Sequence, residues 1–228
     1  LIVMIMSFAP LGVFCLIGKF VIADGLDIFQ DVLAYVVLLI ALLLFHAAFT
    51  YSLFLKFVGG LNPLIFYRKM KDVALFAFST SSSAATIPVT LKTVNQDLGV
   101  NQNVASFVVP VGATINMDGT AIMQGLATVF IAQMSGIDLT LFQYVQVVLL
   151  AVATSIGTAA VPSAGTITLI IILQQFNLPL EAIGIILAVD RVLDMLRTSV
   201  NVTGDAAIAC IVAKTENQLD ENIFNSKA

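Results

Sequence analysis

The most polar residues of this chain stand in its most apolar stretches. Asp190, Asp194, Arg197, Asn201 and Asp205 recur through a segment, about Ala182 to Ala213, that is otherwise mostly Ile, Leu, Val and Ala. At about 100° per residue those five positions fall within a ~80° stripe of one helix face. Charges inside an apolar span must face a bundle interior or an aqueous cavity, and must pair there. A guanidinium such as Arg197 binds a carboxylate through two parallel hydrogen bonds. A carboxylate beside it, Asp194, would hold an ammonium. The pair therefore describes a ligand with a carboxylate and an amino group, and the helix N-termini expected at two broken segments attract a second carboxylate.

A second polar interruption lies in the apolar stretch Val104 to Ala132, at Gly112-Ala113-Thr114-Ile115-Asn116-Met117-Asp118-Gly119-Thr120. Asn, Asp and two glycines are costly as membrane packing and reasonable as a partly unwound stretch. Asp118, Asp205, Asn116 and Asn201, with the carbonyls freed by unwinding, supply hard oxygen ligands for a small monovalent cation. Such a cation offsets the charge of an anionic ligand and of the two aspartates, so coupling between the two is expected to be obligatory.

The elements that carry these residues belong to a membrane. Of 228 residues, 59% are hydrophobic and 11% charged, with no Trp and a net charge of −4; the mean hydropathy is +1.03. Soluble domains are roughly 45–50% apolar and about 25% charged. This composition excludes a disordered chain, a nucleic-acid binder and most soluble enzymes. A membrane helix needs about 20 mostly apolar residues. A first span is expected from Leu1 to about Ala23, closing at Asp24-Gly25-Leu26-Asp27, and a second from about Val32 to Val58, ending at Gly59-Gly60-Leu61-Asn62-Pro63. The basic cluster Tyr67-Arg68-Lys69-Met70-Lys71 then lies in the cytoplasm and the acidic Asp24–Asp31 loop outside. The apolar start, without a basic leader, is not a signal peptide and reads as the C-terminal portion of a longer protein. His46, the one histidine, is expected as a neutral side chain hydrogen-bonded between helices rather than a proton relay. Cys15 and Cys210 are expected as free, buried thiols.

Two further apolar segments are broken in the middle. Val73 to Val94 is interrupted by Ser79-Thr80-Ser81-Ser82-Ser83-Ala84-Ala85-Thr86-Ile87-Pro88, and Val145 to Leu173 by Thr154 to Gly165. The arms are too short to span, and a serine run cannot sit in lipid with its backbone unpaired. Each is expected to be a re-entrant helical hairpin. Ser83-Ala84-Ala85-Thr86-Ile87-Pro88 and Thr158-Ala159-Ala160-Val161-Pro162 share a hydroxyl residue, two alanines and a proline, and two interrupted segments in corresponding positions point to a transporter site built from inverted repeats. Their tips present helix N-termini, which attract carboxylates.

At these residues the chain resembles the dicarboxylate/amino acid:cation symporter family, the glutamate and aspartate transporters. The motifs that carry the resemblance are Ser81-Ser82-Ser83 with Pro88, Asn116-Met117-Asp118-Gly119-Thr120, Gly157-Thr158-Ala159-Ala160-Val161-Pro162, and Asp194-Met195-Leu196-Arg197-Thr198 with Asn201-Val202-Thr203-Gly204-Asp205. It implies an all-α, multi-pass protein of the cell membrane. Residues 1–62 would form two transmembrane helices, the family's fifth and sixth, and 63–228 an inverted-repeat transport core. Within the core it implies re-entrant hairpins at about 66–97 and 141–177, an unwound helix at about 102–135, a polar helix at about 181–215 and a cytoplasmic tail. The earlier helices of a homotrimeric scaffold would lie outside this sequence. Arg197 would bind the substrate's side-chain carboxylate and Asp194 its amino group, with Asn201, Thr120 and the backbone at Ser82 and Ser83. One sodium would be held by Asp205, Asn201, Asn116 and the Gly112 carbonyl. A second would lie by Thr114, Met117, Ser155, Ile156 and Thr158, and a third by Asp118 and Asn116. The second hairpin, with Val161 and Gly165, would be the gate of a core that moves against a static scaffold.

The resemblance has departures. Ser81 stands where archaeal members carry an arginine, and Met195 where animal members carry one; Arg191, one turn away, is a candidate substitute. Gln124 stands where proton-coupled members carry a glutamate, which argues against proton antiport there. Ala160 and Ser163 replace gate glycines. Alternatives are a C4-dicarboxylate symporter, for which Asp194 has no ammonium to hold, or a proton-coupled glutamate symporter of the same fold. An intramembrane aspartyl protease is disfavoured because Val202-Thr203-Gly204-Asp205 lacks the first glycine of Gly-x-Gly-Asp. A cation channel has little use for Arg197.

Overall fold

The computed structural model describes residues 28–226 and, before them, only positions 11, 14, 15, 18 and 22. The expected first span therefore lies almost wholly outside the described residues. Helix α1, Ile28–Phe45, continues through a wide π turn at His46–Thr50 into α2, Tyr51–Phe57. No Gly or Pro interrupts this run, and Phe29–Phe57 is long and apolar enough to cross a membrane, alone among the described helices. The remaining apolar stretches are broken, or are striped with charge.

Helix α3, Pro63–Thr80, starts where the Asn62 side chain accepts from the Leu64 N–H at 3.0 Å, with Pro63 at the first helical position. It stops at Ser81, whose φ of 51° is left-handed, and Ser82 at once caps α4, Ser83–Gln96, by accepting from the Ala85 N–H. Helices α5, Gln102–Ile115, and α6, Asp118–Met134, are separated only by Asn116 and Met117. Helix α7, Leu141–Ile156, opens on a reciprocal cap between Thr140 and Gln143. The irregular stretch 157–163 leads into α8, Ala164–Gln175. The long α9, Ile183–Thr215, is followed by a turn and the short α10, Glu221–Asn225. The described fold is all-helical apart from one isolated bridge between Val100 and Leu219.

Helix α9 is the spine. One core, with Phe66, Met70, Leu98, Cys210 and Phe224, packs α3, α4, α5 and the tail on its C-terminal half. The other, with Leu39, Met123, Leu169, Ile172 and Leu193, packs α1, α6, α7 and α8 on its N-terminal half. Each broken helix pair thus has its own apolar half of the spine, and the breaks meet between the halves. The outward sides of α1 and α7 leave Val37, Phe45, Phe142 and Val148 exposed, a surface suited to lipid or further protein. Cys210 is buried as expected, but Cys15 is exposed. An apolar stretch predicts an apolar setting, which an outer surface facing lipid or another helix satisfies as well as a core does. Of the basic cluster, Arg68 and Lys71 are exposed, whereas Lys69 turns inward and donates to the Asp97 and Ile223 carbonyls at 2.8 and 2.7 Å.

Candidate functional site

Three breaks and the middle of α9 converge on one cavity, lined among others by Ser81, Ser83, Thr120, Val161, Gly165, Asp194, Arg197 and Asn201. Of the expected substrate residues only Ser82 is not in the wall. Its hydroxyl instead donates to the Ala160 carbonyl at 2.9 Å, while the Ala84 N–H also reaches that carbonyl at 3.3 Å; the two tips are tied to each other. The space for solvent inside is about 20 Å³, enough for one or two waters.

Arg197 is 2% exposed and lies between two carboxylates of its own helix. Its Nη2 donates to Asp194 Oδ1, and its Nη1 lies 3.5 Å from Asp190 Oδ1. Asp194 Oδ2 accepts from the Ser163 N–H at 2.9 Å. Ser163 ends the irregular stretch at a left-handed φ of 59°, which turns that N–H toward α9. Gly165 brings α8 close to α6 beside the arginine: a Cβ there would lie 2.7 Å from Thr120 Cγ2, so a larger residue would force the Thr120 side chain or the helix to shift. The Ser81 hydroxyl, in the cavity wall, is buried without a partner. It was not among the expected substrate residues, although the serine run marked its neighbourhood. Arg191 is exposed and does not line the cavity; one turn from Met195 on the helix, it points off the polar stripe.

The oxygen-rich region lies beside this cavity. Asp205 Oδ1 accepts from Asn116 Nδ2 at 3.0 Å. The carboxylate rests against Gly112, where a Cβ would meet Oδ1 at 2.6 Å. The Gly112 carbonyl accepts the Asn116 N–H at 2.8 Å, and Asn201 Oδ1 accepts the Gly119 N–H at 2.8 Å. Asp205, Asn116, Gly112 and Asn201 are therefore brought together, and carboxylate, amide and carbonyl oxygens suit a hard cation. Asp118 faces α1 and α2. Its Oδ2 lies 3.2 Å from His46 Nε2 and accepts from the Tyr51 hydroxyl at 3.2 Å. The π turn between α1 and α2 sets His46 and Tyr51 edge to face, with centroids 4.8 Å apart; such turns often mark functional sites. His46 does bond between helices, as expected. That its partner is Asp118 was not legible.

The expected second cation group is less gathered. Met117, Ser155 and Thr158 are buried, but Thr114 and Ile156 are exposed. The Ser155 hydroxyl donates to the Val152 carbonyl and that of Thr158 to the Thr154 carbonyl. Among the described residues no three His, Cys, Asp or Glu side chains cluster as metal ligands. Gln124, fully buried, donates to the Gly165 carbonyl at 3.0 Å and to Thr168 at 2.8 Å, and accepts from Thr154 at 2.8 Å. It fastens α6 to both arms of the second pair.

The model of the sodium:dicarboxylate symporter family matches residues 1–215. An excitatory amino acid transporter of Caenorhabditis elegans is 42% identical over 214 residues, covering 93% of this chain and 42% of that protein. The human excitatory amino acid transporter 2 is 44% identical over the same length, 93% and 37%; the bovine excitatory amino acid transporter 1 is 43% identical, 93% and 40%. The chain spans about two fifths of the length of these curated relatives.

Proposed function

This chain belongs to the sodium:dicarboxylate symporter family, and on that premise we propose that it forms the cargo-binding core of a secondary active transporter. The cargo is an acidic amino acid, glutamate or aspartate, carried into the cell with sodium. The observation that carries this reading is the buried Arg197, held by Asp194, in a cavity walled by the tips of both broken pairs. A substrate carboxylate takes the guanidinium, and its ammonium takes the carboxylate that the guanidinium leaves. The names of the relatives, all excitatory amino acid transporters, support the same substrate class.

On this reading one sodium is held by Asp205, Asn201, Asn116 and the Gly112 carbonyl, and another by Asp118 with Asn116. A further one is held by Thr114, Met117, Ser155, Ile156 and Thr158 once Thr114 and Ile156 are drawn in. Each cation lowers the cost of bringing an anion beside two aspartates. The pairs α3/α4 and α7/α8 are re-entrant hairpins of an inverted repeat, and the second, with Val161 and Gly165, is the gate. The core travels as a unit against a scaffold of homotrimeric helices in the cell membrane. Gln124 does not titrate, so proton coupling through it is no part of the proposal. The test is uptake of labelled L-aspartate into proteoliposomes holding the full-length parent, with and without an inward sodium gradient. Uptake that follows a proton gradient and ignores sodium would overturn the cation assignment. Strong competition by succinate would move the substrate to the C4-dicarboxylates.

A further inference from the structure

The second broken pair touches the arginine's aspartates twice. At its tip the Ser163 N–H donates to Asp194; farther along α8 the Thr166 hydroxyl donates to Asp190 Oδ1 at 2.7 Å. The two contacts differ in position. Asp194 is in the cavity wall, so an incoming ammonium competes for it. Asp190 and Thr166 lie behind that wall, 2% and 0% exposed, and no ligand reaches them. The same Asp190 oxygen faces Arg197 Nη1, and the other, Oδ2, is buried without a partner. A buried carboxylate so placed is held by few groups, and losing either one matters.

We infer that Thr166 and Asp190 form an inner latch joining the second arm of the gate to the substrate arginine. Both are positioning residues: Asp190 keeps Arg197 aimed into the cavity after Asp194 is given up to the substrate. Thr166 ties that hold to α8, so that closure of the gate and orientation of the guanidinium are one event. The inference rests on the transport reading for its affinity arm only.

The experiment uses the full-length parent in liposomes, with native cysteines replaced and Ala160→Cys, at a buried position of the cavity wall, as the single reporter. Reaction with a membrane-impermeant thiol reagent reads gate opening without transport, and aspartate uptake reads affinity. Thr166→Val, which keeps shape and loses the hydroxyl, should raise the labelling rate without substrate about fivefold and the half-saturating aspartate by a similar factor, the scale of one buried hydrogen bond. Thr166→Ser should restore both. Asp190→Asn keeps an acceptor for Thr166 but removes the charge facing Arg197; it should raise half-saturation at least about tenfold with labelling near wild type. Thr166→Val indistinguishable from wild type, or Thr166→Ser as open as Thr166→Val, overturns the latch. Wild-type protein that accumulates no aspartate overturns the transport reading, and the labelling comparison still decides the latch.

Discussion

The two broken helix pairs have similar sequences at their tips and each packs on its own apolar core, but they differ in what holds them beside the cavity. The first turns in two residues, Ser81 and Ser82, and its arms sink Phe66, Met70 and Val94 into a closed apolar core. Its base is fastened again by the tail: Phe224 is 1% exposed, Lys69 bridges two carbonyl groups, and the Asp220 N–H reaches the Gly99 carbonyl at 2.8 Å. The second turns over positions 157–163; its α8 arm sinks Leu169 and Ile172 into the other core, while its tip is held beside the cavity by the Ser163 N–H on Asp194, a polar contact in the cavity wall. Apolar burial resists opening everywhere at once, whereas a hydrogen bond can be handed to a ligand or water at small net cost. The contrast supports the proposed division of labour, with the first pair as fixed wall and the second as gate.

The comparison can be broken most strongly at the arginine both pairs face. Arg197→Cys should abolish measurable acidic amino acid uptake, a loss of at least about a hundredfold; it also strands two buried carboxylates, a destabilisation of about 3–5 kcal/mol in a melting experiment. Retained aspartate affinity would end the carboxylate assignment. Next comes the base of the first pair. Phe224→Ala should cost about 3–5 kcal/mol of stability, read by thermal melting of the full-length protein, while aspartate affinity in the surviving folded fraction stays put. A large affinity loss there would mean the first pair is no fixed wall. Asp205→Asn should raise the half-saturating sodium concentration about tenfold, near 1.4 kcal/mol, and an unchanged sodium titration would remove that site. The smallest effect is expected from Ser82→Ala, which loses a helix cap worth about 1 kcal/mol and the bond to Ala160; melting should fall slightly and thiol labelling at the second tip should rise.

Much of this arrangement was legible because its signals are local. The serine run, the Asn-Met-Asp-Gly-Thr stretch and the Gly157–Gly165 interruption each violate an apolar pattern where they stand, and the structure breaks its helices there. The α9 stripe follows from helical period alone. The pairings did not follow. His46 meets Asp118 across 72 residues, through a π turn that leaves no mark in composition. Thr166 reads as an ordinary helix residue and Gln124 only as a side chain that carries no proton, because what they hold is set by how α8 and α6 pack on other elements. The Ser82 hydroxyl closes on the Ala160 carbonyl across 78 residues, a partner that no local signal marks. Arg191, one turn from Met195, is exposed and outside the cavity wall.

The central claim is that Arg197 and Asp194 together receive a ligand with carboxylate and ammonium groups, and that sodium makes this possible. Calorimetric titration of the purified full-length protein with L-aspartate and with succinate, each in sodium chloride and in choline chloride, tests it directly. The account predicts saturable aspartate binding in sodium, none measurable in choline, and succinate binding at least about a hundredfold weaker, as expected when a buried carboxylate loses its cationic partner. Equal aspartate binding in both salts, or succinate binding as tight as aspartate, would contradict it.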